Sequence, residues 1–552
     1  MQFTRHDQEM LEIFMDPVKW ATYHLGDKPR WYQEQILRHP HHRKVLRCGR
    51  RVGKCIEENQ RILNPVTGAY ESVRDLYQKQ KTEGNQDLIT LNEQYKLEPS
   101  HAFFIEDNGV KETFLVRTKY GAEVVLTGNH PVLTIDGWVE VDALKVGNRI
   151  ATPSALPYFG TSRMPRDEIK MTAYLLAGGH HNHGRITFSA KDETVLGDFE
   201  ITARNLGIHV IRKKLNEYTY MVYAEGEKAK EYASIIDKKK VPSFIFTLTK
   251  EDIALFLNTL YAVNGWAYCT TRPEIGISSA YRYLMKDIKH LLLRFGIQSN
   301  LMIKRNINEL LIHRRNDLLA FIEEISIFSK QDILNEIQEY AEDMQVYEHT
   351  VPKEVWKYIE KERKEKGLSK WQVTGSKDER LRIGVAPTIS KIAKYAENLQ
   401  SPFLYDLARA DLIWEEVTDI IPLGERQTYD VFVPETHNLV CEDVLVHNTW
   451  TMCAHMLWVA FTCNGGTELK KGAVCIVATP YESQARLIFD QLVTFIESNP
   501  VLQNSVETIT KNPYYIKFKN KSVIKLFTAG TRSGSEGGSL RGQRASWIYM
   551  DK

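Results

Sequence analysis

Residues 48–54 read CGRRVGK and stop one residue short of a phosphate-binding loop. Such a loop needs a Ser or Thr hydroxyl for Mg²⁺ directly after its lysine. Here Lys54 is followed by Cys55, and the missing hydroxyl stands far downstream in LVHNTWTMCAHMLWVAF, as Thr449. Removing residues 55–448 joins VLRCGRRVGK to TWTMCAHMLWVAF, so that Thr449 follows Lys54. The short apolar run Val45-Leu46 precedes the join, and an amphipathic helical pattern of Met452, His455, Met456, Val459 and Ala460 follows it. Strand, glycine loop, Lys-Thr and helix are the order that phosphate binding requires. The chain therefore divides into an insert of 394 residues and a host of 158 residues, whose halves 1–54 and 449–552 form one α/β unit.

The edges of the insert carry the chemistry that its removal needs. Cys55 opens it, and His447-Asn448 closes it before Thr449. A thiol at position 55 can attack the preceding carbonyl and move the Lys54 acyl group from nitrogen to sulfur. The thioester is more reactive towards a second nucleophile than the amide was. Thr449 can take the acyl group, and Asn448 can cyclise through its side-chain amide and cut its own peptide bond. An oxygen-to-nitrogen shift then leaves an ordinary Lys-Thr peptide. A buried thiol or a His-Asn-Thr triplet alone is common by chance. In order, bracketing a segment whose deletion restores a phosphate loop, they are specific.

This arrangement resembles an intein, a self-splicing protein insertion of the Hint type. Two further boxes are similar to the family's. LTGNHPVLT holds Thr127 and His130, which the resemblance implies polarise and protonate the first scissile amide. TYDVFVPETHNLVCEDVLVHN resembles the terminal box, with Asp430, His437, His447 and Asn448. By resemblance, His437 and His447 assist asparagine cyclisation by acid–base catalysis and oxyanion stabilisation. Asp430 helps the first cleavage or the transfer. Cys441 receives no role, and no cofactor is implied for splicing.

The resemblance implies a multidomain chain: an all-β Hint module from residues 55–160 and 410–448, interrupted by other domains. HAFFIEDN, KETFLVRT, AEVVLTGN and WVEVDALKVGNRIA agree, as short apolar or alternating runs with turn residues between them. Residues 161–345 read as a weak internal duplication. IKMTAYLLAGGHHNHG and EDIALFLNTLYAVNGWAY are apolar helical stretches ending at Gly184 and Gly265, each followed by strand, helix, two strands and helix. The pattern resembles LAGLIDADG homing endonucleases, α+β proteins of αββαββα repeats. In that family an acidic residue at each motif-helix end holds the metal that cleaves DNA. Here those positions read as His183 and Asn264, which cannot replace anionic oxygen ligands in charge. The two-metal clamp of phosphodiester hydrolysis is then missing, and a degenerate endonuclease is expected. GGHHNHG has a second reading as a transition-metal site. DKKKVPSF and YIEKERKEKGLSK would suit DNA phosphates, or are solvated faces. Residues 346–409 hold helical patterns that would suit an accessory DNA-binding segment.

In the host, PRWYQEQIL resembles the adenine-side box of helicase-like ATPases, with Gln33 at the base edge. The joined loop CGRRVGKT, with Gly49, Arg50, Arg51, Gly53, Lys54 and Thr449, resembles that of the large terminase subunit of tailed phages, the motor that packs DNA into capsids. Either arginine could approach the γ-phosphate. GAVCIVATPYESQARLIFDQL pairs a buried strand with a turn and helix, and WIYMD ends on Asp551. Asp551 suits the water around Mg²⁺, which Thr449 would also hold. ATP and Mg²⁺ are thus the implied host ligands, and DNA, the phage portal and the small terminase subunit the implied partners. A helicase or another RecA-like ATPase uses the same parts. Lys552 stands where a catalytic Glu is expected, so the chain is read as a fragment.

Composition excludes rather than selects. Net charge is +2, so no whole-chain polyelectrolyte partner is indicated. The seven cysteines lack CxxC spacing, which argues against zinc ribbons and disulfide frameworks and for a reducing compartment. No apolar run reaches the roughly 18 residues of a membrane span, and MQFTRHDQEMLEIF is no signal peptide. A cytoplasmic protein of an infected or prophage-carrying bacterium is expected. Two other classes stay open: an active homing endonuclease, and an ordinary ATPase with an inert insertion.

Overall fold

Strands from the two ends of the insert pair with each other. The computed structural model describes residues 12–25, 55–84, 86–100, 104–182, 185–216, 219–270, 272–376, 384–433, 436, 438–447, 451–462, 472–479, 489, 492–493, 495–497, 499–511, 513–528 and 545–550. Two compact units form, one from residues 1–49 and 449–552 and the other from residues 50–448. In the second unit the strand Ile56–Glu57 sits between two others, Ile56 lying opposite Tyr429 on one side and Leu126 on the other. The long strand Leu412–Phe432 runs antiparallel to Phe104–Thr118, from Val417 opposite Thr118 to Phe432 opposite Phe104. Glu123–Thr127 and Arg149–Pro153 complete this five-stranded sheet. Ile105, Val116, Val124, Leu126, Val417 and Val431 alternate into its core, the period-2 pattern of a strand with one buried face. A second sheet joins Asn438–Cys441, Val444–His447, Pro131–Thr134 and Gly137–Glu140 in that order.

Two local expectations are corrected. The described part of HAFFIEDN, from Phe104, and KETFLVRT are one strand, Phe104–Thr118, not two separated by a turn. Asn108-Gly109 forms a bulge instead: two residues oppose the single Thr428, and Gly109 takes φ +73°, the left-handed backbone that such bulges place on glycine. The β-module also contains a helix, Val73–Glu83. Ser72 caps it, its hydroxyl accepting from the Asp75 N–H at 3.1 Å, and Val73 and Leu76 face the core. That Ser-x-x-Asp start is a helix signal, so the module is not purely β.

The middle of the insert is a tandem repeat of αββαββα units, the element order expected from the sequence. The first copy runs through helix Arg166–Ala177, strands His180–Asn182 and Arg185–Ala190, helix Glu193–Asn205, strands His209–Asn216 and Thr219–Glu225, and helix Glu227–Ile235. The second runs through helix Lys250–Asn264, strands Gly265–Tyr268 and Glu274–Ser279, helix Arg282–Arg294, strands Asn300–Lys304 and Ile307–Ile312, and helix Arg315–Glu324. Both copies form four-stranded antiparallel sheets with the same strand order, first-second-fourth-third. Their leading helices pack on each other, and Asn264 Nδ2 donates to the Ala177 carbonyl at 2.8 Å.

The repeat register corrects one assignment. The first helix ends at Ala177, because Gly178-Gly179 break it, and the histidines after it start a strand. Aligning the paired strands puts Thr187, opposite His180, where Gly276 lies opposite Trp266. Gly178 is therefore the counterpart of Asn264. His183, placed at that position from the sequence alone, lies beyond the helix and outside the described residues. A Cβ on Gly178 would come within 3.1 Å of Val263 on the partner helix. Residues 346–409 hold the helices Trp356–Glu365, Lys370–Thr374, Ile389–Leu399 and Pro402–Ala408.

In the host unit, Val474–Thr479 lies between Val523–Thr528 and Trp547–Met550, parallel to both. Tyr514–Phe518 and Val506–Lys511 add an antiparallel edge. Trp20, Met456, Leu457, Cys475 and Val477 belong to one core that spans the two host segments. No helix among the described residues is long and apolar enough to cross a membrane.

Candidate active site

Cys55 immediately precedes a strand that is paired on both edges, and this buries it completely. Its backbone is held on both sides by the T-x-x-H segment. The Cys55 N–H donates to Thr127 Oγ1 at 3.0 Å, and the Thr127 N–H donates to the Cys55 carbonyl at 3.0 Å. The Thr127 hydroxyl gives its own proton to Asn129 Oδ1 at 2.8 Å. That bond turns a lone pair towards the Cys55 nitrogen. His130 is buried, with Nδ1 3.1 Å from the Cys55 carbonyl oxygen. Thr127 thus reaches the Cys55 nitrogen, whereas the imidazole contacts the carbonyl on the other side of Cys55.

Two groups that the sequence reading did not single out surround the thiol. Lys111 Nζ lies 3.0 Å from Cys55 Sγ, and Asn108 Nδ2 lies 3.1 Å from it. Both come from the bulged strand, and Lys111 is almost wholly buried. Burial and the negative charge of Asp430 push the thiol up to about 11, while the Lys111 ammonium pulls the other way. Asp430 sits on the long strand opposite Glu106, next to Tyr429, the residue facing Ile56.

The far end of the insert is brought to the same place by strand pairing. Val446 lies opposite Val132, two residues from His130, and Asn438 lies opposite His447. Asn438 is pinned by two hydrogen bonds to Leu91, its Oδ1 accepting from the N–H at 2.7 Å and its Nδ2 donating to the carbonyl at 2.8 Å. His447 closes the strand Val444–His447. His437, Asn448 and Thr449 lie outside the described residues, as do Gln33, Gly49, Arg50, Arg51, Gly53, Lys54 and Asp551. The run Val45-Leu46 and the end of GGHHNHG lie there too. Cys441 is a buried core residue, its thiol pushed well up by burial.

Residues 65–448 match the family described as the intein splicing domain. The replicative DNA helicase DnaB of Synechocystis sp. is 26% identical over 456 residues, covering 74% of this chain and 51% of that protein. Protein RecA of Mycobacterium tuberculosis is 23% identical over 451 residues, covering 72% of this chain and 56% of that one. The chain spans about half the length of these curated relatives. Among solved structures, a DnaB intein from Synechocystis sp. is 32% identical, with a TM-score of 0.17, over 18% of this chain and 69% of that one. The endonuclease I-DmoI in complex with DNA and Mn is 12% identical, with a TM-score of 0.24, over 29% of this chain and 96% of that one. Since the family match runs from close behind Cys55 to Asn448, the residue at which the sequence closes the insert, the chain belongs to the intein splicing domain family and is an autocatalytic protein-splicing element.

Proposed function

We propose that residues 55–448 excise themselves and join residues 1–54 to 449–552. In the first step the Cys55 sulfur bonds to the Lys54 carbonyl carbon, the C–N bond to Cys55 breaks, and the thiol proton ends on the Cys55 nitrogen. Lys111 and Asn108 stabilise the thiolate, and Thr127 holds the leaving nitrogen. The Thr449 oxygen then takes the acyl group and expels the sulfur. The Asn448 side-chain nitrogen attacks its own carbonyl carbon and releases the Thr449 amine, with His437 and His447 moving the protons. The freed amine captures the acyl group from oxygen. Threonine is a weaker nucleophile than cysteine near neutral pH, so the transfer limits the rate. The observation that carries this reading is the enclosure of Cys55, with its nitrogen on Thr127 and its sulfur between Lys111 and Asn108. Mass analysis after expression tests it. The expected products are an excised piece of 394 residues and a joined one of 158 residues. A persistent full-length chain with Cys55 and Asn448 intact overturns it.

For the joined host we propose a P-loop ATPase. Parallel strands Val474–Thr479 and Trp547–Met550 support it, since such sheets bind nucleotides beyond their carboxyl ends. Lys54, the loop amides, Thr449 and Asp551 form a donor set suited to phosphates and a Mg²⁺ ion, which would supply charge neutralisation for phosphoryl transfer. Gln33 would read the adenine, and Arg50 or Arg51 would reach the γ-phosphate. The arginine-bearing loop favours a terminase motor, acting on DNA with portal and small-subunit partners. The names of the relatives, DnaB and RecA, favour a RecA-like host instead. An RNase-H-like domain encoded further downstream selects the first reading, and helicase motifs there select the second.

The two-repeat domain is proposed to be folded and not to cut DNA. Gly178 and Asn264 offer no carboxylate at the helix ends, and a hydrated Mg²⁺ needs anionic oxygen there. Incubation with the uninterrupted host gene and Mg²⁺ or Mn²⁺ is expected to leave the DNA intact. Specific cleavage at the joining site refutes this.

A further inference from the structure

The terminal hairpin turns through a pair of residues that do not favour the turn they make. Cys441 pairs with Val444, so Glu442 and Asp443 are the whole loop, at φ +47° and +59°. Two-residue turns with both φ positive select Asn-Gly or Asp-Gly, because other side chains crowd the backbone there. A glutamate in that place must be held by something else. Glu442 receives Arg61 Nε at 3.0 Å and Lys286 Nζ at 2.9 Å, and its N–H donates to the Arg61 carbonyl at 3.0 Å. Asp443 Oδ1 meets His290 Nδ1 at 2.8 Å. His290 is stacked on Tyr70 with centroids 3.8 Å apart, and its Nε2 accepts from Arg294 Nε at 3.2 Å. Arg294 in turn donates to the carbonyls of Phe246 at 2.7 Å and Gly68 at 2.8 Å. Asp287 pairs with Arg61 and accepts from the Val241 N–H at 2.8 Å.

Lys286, Asp287, His290 and Arg294 all lie on one helix, Arg282–Arg294, of the second repeat. Apart from Lys286 and the Arg61 guanidinium, the network's ionisable side chains are nearly inaccessible to water, with Glu442 5% and His290 1% exposed. Burial works against ionisation of Glu442, yet Arg61 and Lys286 hold it at about 2. Buried charges of this kind persist only while each has its partner. The same helix shares a core with the splicing module, Leu291 and Leu292 clustering with Leu63, Tyr70, Leu133 and Leu156.

We infer that the helix Arg282–Arg294 positions the C-terminal cleavage, by clamping the Glu442-Asp443 turn through Lys286 and His290 and so fixing where the hairpin delivers Asn448. Lys286 and His290 are positioning residues, since they touch neither reacting end. The endonuclease-like domain is then a working part of the splicing element and not a passenger. This rests on the proposal that Asn448 cyclises. Ring closure needs the side-chain nitrogen aligned on its own carbonyl, and a shift of about 1 Å costs up to about a hundredfold in rate.

The test uses the full chain and follows the two cleavages separately. C-terminal cleavage is timed with Cys55→Ala in the background, and thiol-induced N-terminal cleavage with Asn448→Ala. Lys286→Met is expected to slow the C-terminal reaction about tenfold or more, to leave the N-terminal reaction unchanged, and to be rescued by Lys286→Arg. Asp443→Asn, which keeps the turn's shape, is expected to act in the same selective way. Equal slowing of both reactions, or of neither, overturns the inference. If Asn448→Ala itself still cleaves at the C-terminal junction, the cyclisation reading falls and takes the inference with it. If Asn448→Ala is inert while Lys286→Met cleaves normally, only the inference falls.

Discussion

The Cys55→Ala precursor is expected to yield no joined polypeptide of 158 residues, while still releasing residues 449–552 by cleavage after Asn448. Without a sulfur at position 55 the Lys54 acyl group stays on nitrogen, and the Thr449 hydroxyl faces an amide it cannot open at useful speed. Removing a nucleophile from an acyl-transfer site costs on the order of 10⁶ in rate, which over hours of expression is total loss. The asparagine reaction uses separate atoms and continues. Asn448→Ala gives the mirror result: the acyl group reaches Thr449 and stops there, as a branched chain with two N-termini and the full precursor mass. Hydroxylamine splits that branch at its ester. Intact-mass measurement with N-terminal sequencing reads both variants. Ligation by Cys55→Ala, or release of residues 449–552 by Asn448→Ala, rules out the proposed order of bonds.

The splice ends were legible in the sequence because their chemistry is local. Thr127 and His130, named by their spacing, are brought against Cys55, and the family match ends at Asn448, while Asn448 and Thr449 themselves lie outside the described residues. The repeat was legible as pattern but not as register. Leu176-Ala177-Gly178 reads as the start of a motif that runs on through the histidines. The helix stops there because two successive glycines cannot continue it against the strand pairing of His180 with Thr187. The thiol's neighbours were hidden by a different cause. Counted from the buried Ile105, strict alternation sends Lys111 to the face of Ile105, away from that of Asp430. The bulge at Asn108-Gly109 adds one residue to the strand, so Lys111 lies opposite Arg426 and shares the face of Asp430, and Val110 is 56% exposed. A one-residue slip reverses every side chain after it. Glu442 and Asp443 were illegible for a third reason: their partners, Arg61 near the start of the insert and Lys286 and His290 in the second repeat, lie more than a hundred residues away, and only the fold brings them together.

Lys111→Met is expected to slow the first acyl shift by about 10- to 100-fold at neutral pH, since an opposite charge within reach of a group moves its pKa by about 1–3 units. The thiolate, not the thiol, attacks. Burial and Asp430 raise the Cys55 thiol to about 11, so only a small fraction is ionised at pH 7, and the ammonium 3.0 Å from the sulfur favours that fraction. The sign then follows. Below about 11 the thiolate population rises about tenfold for each pH unit, so thiol-induced N-terminal cleavage should climb log-linearly between pH 7 and pH 10. Lys111→Met raises the thiol further, displacing the whole line downward without changing its slope. Lys111→Arg, which keeps the charge, should recover much of the loss. A defect of general folding behaves differently: it slows C-terminal cleavage as well and does not move in parallel with pH. Timing both cleavages across that range separates the two cases, and superimposable profiles for the parent chain and Lys111→Met remove the ammonium from the mechanism.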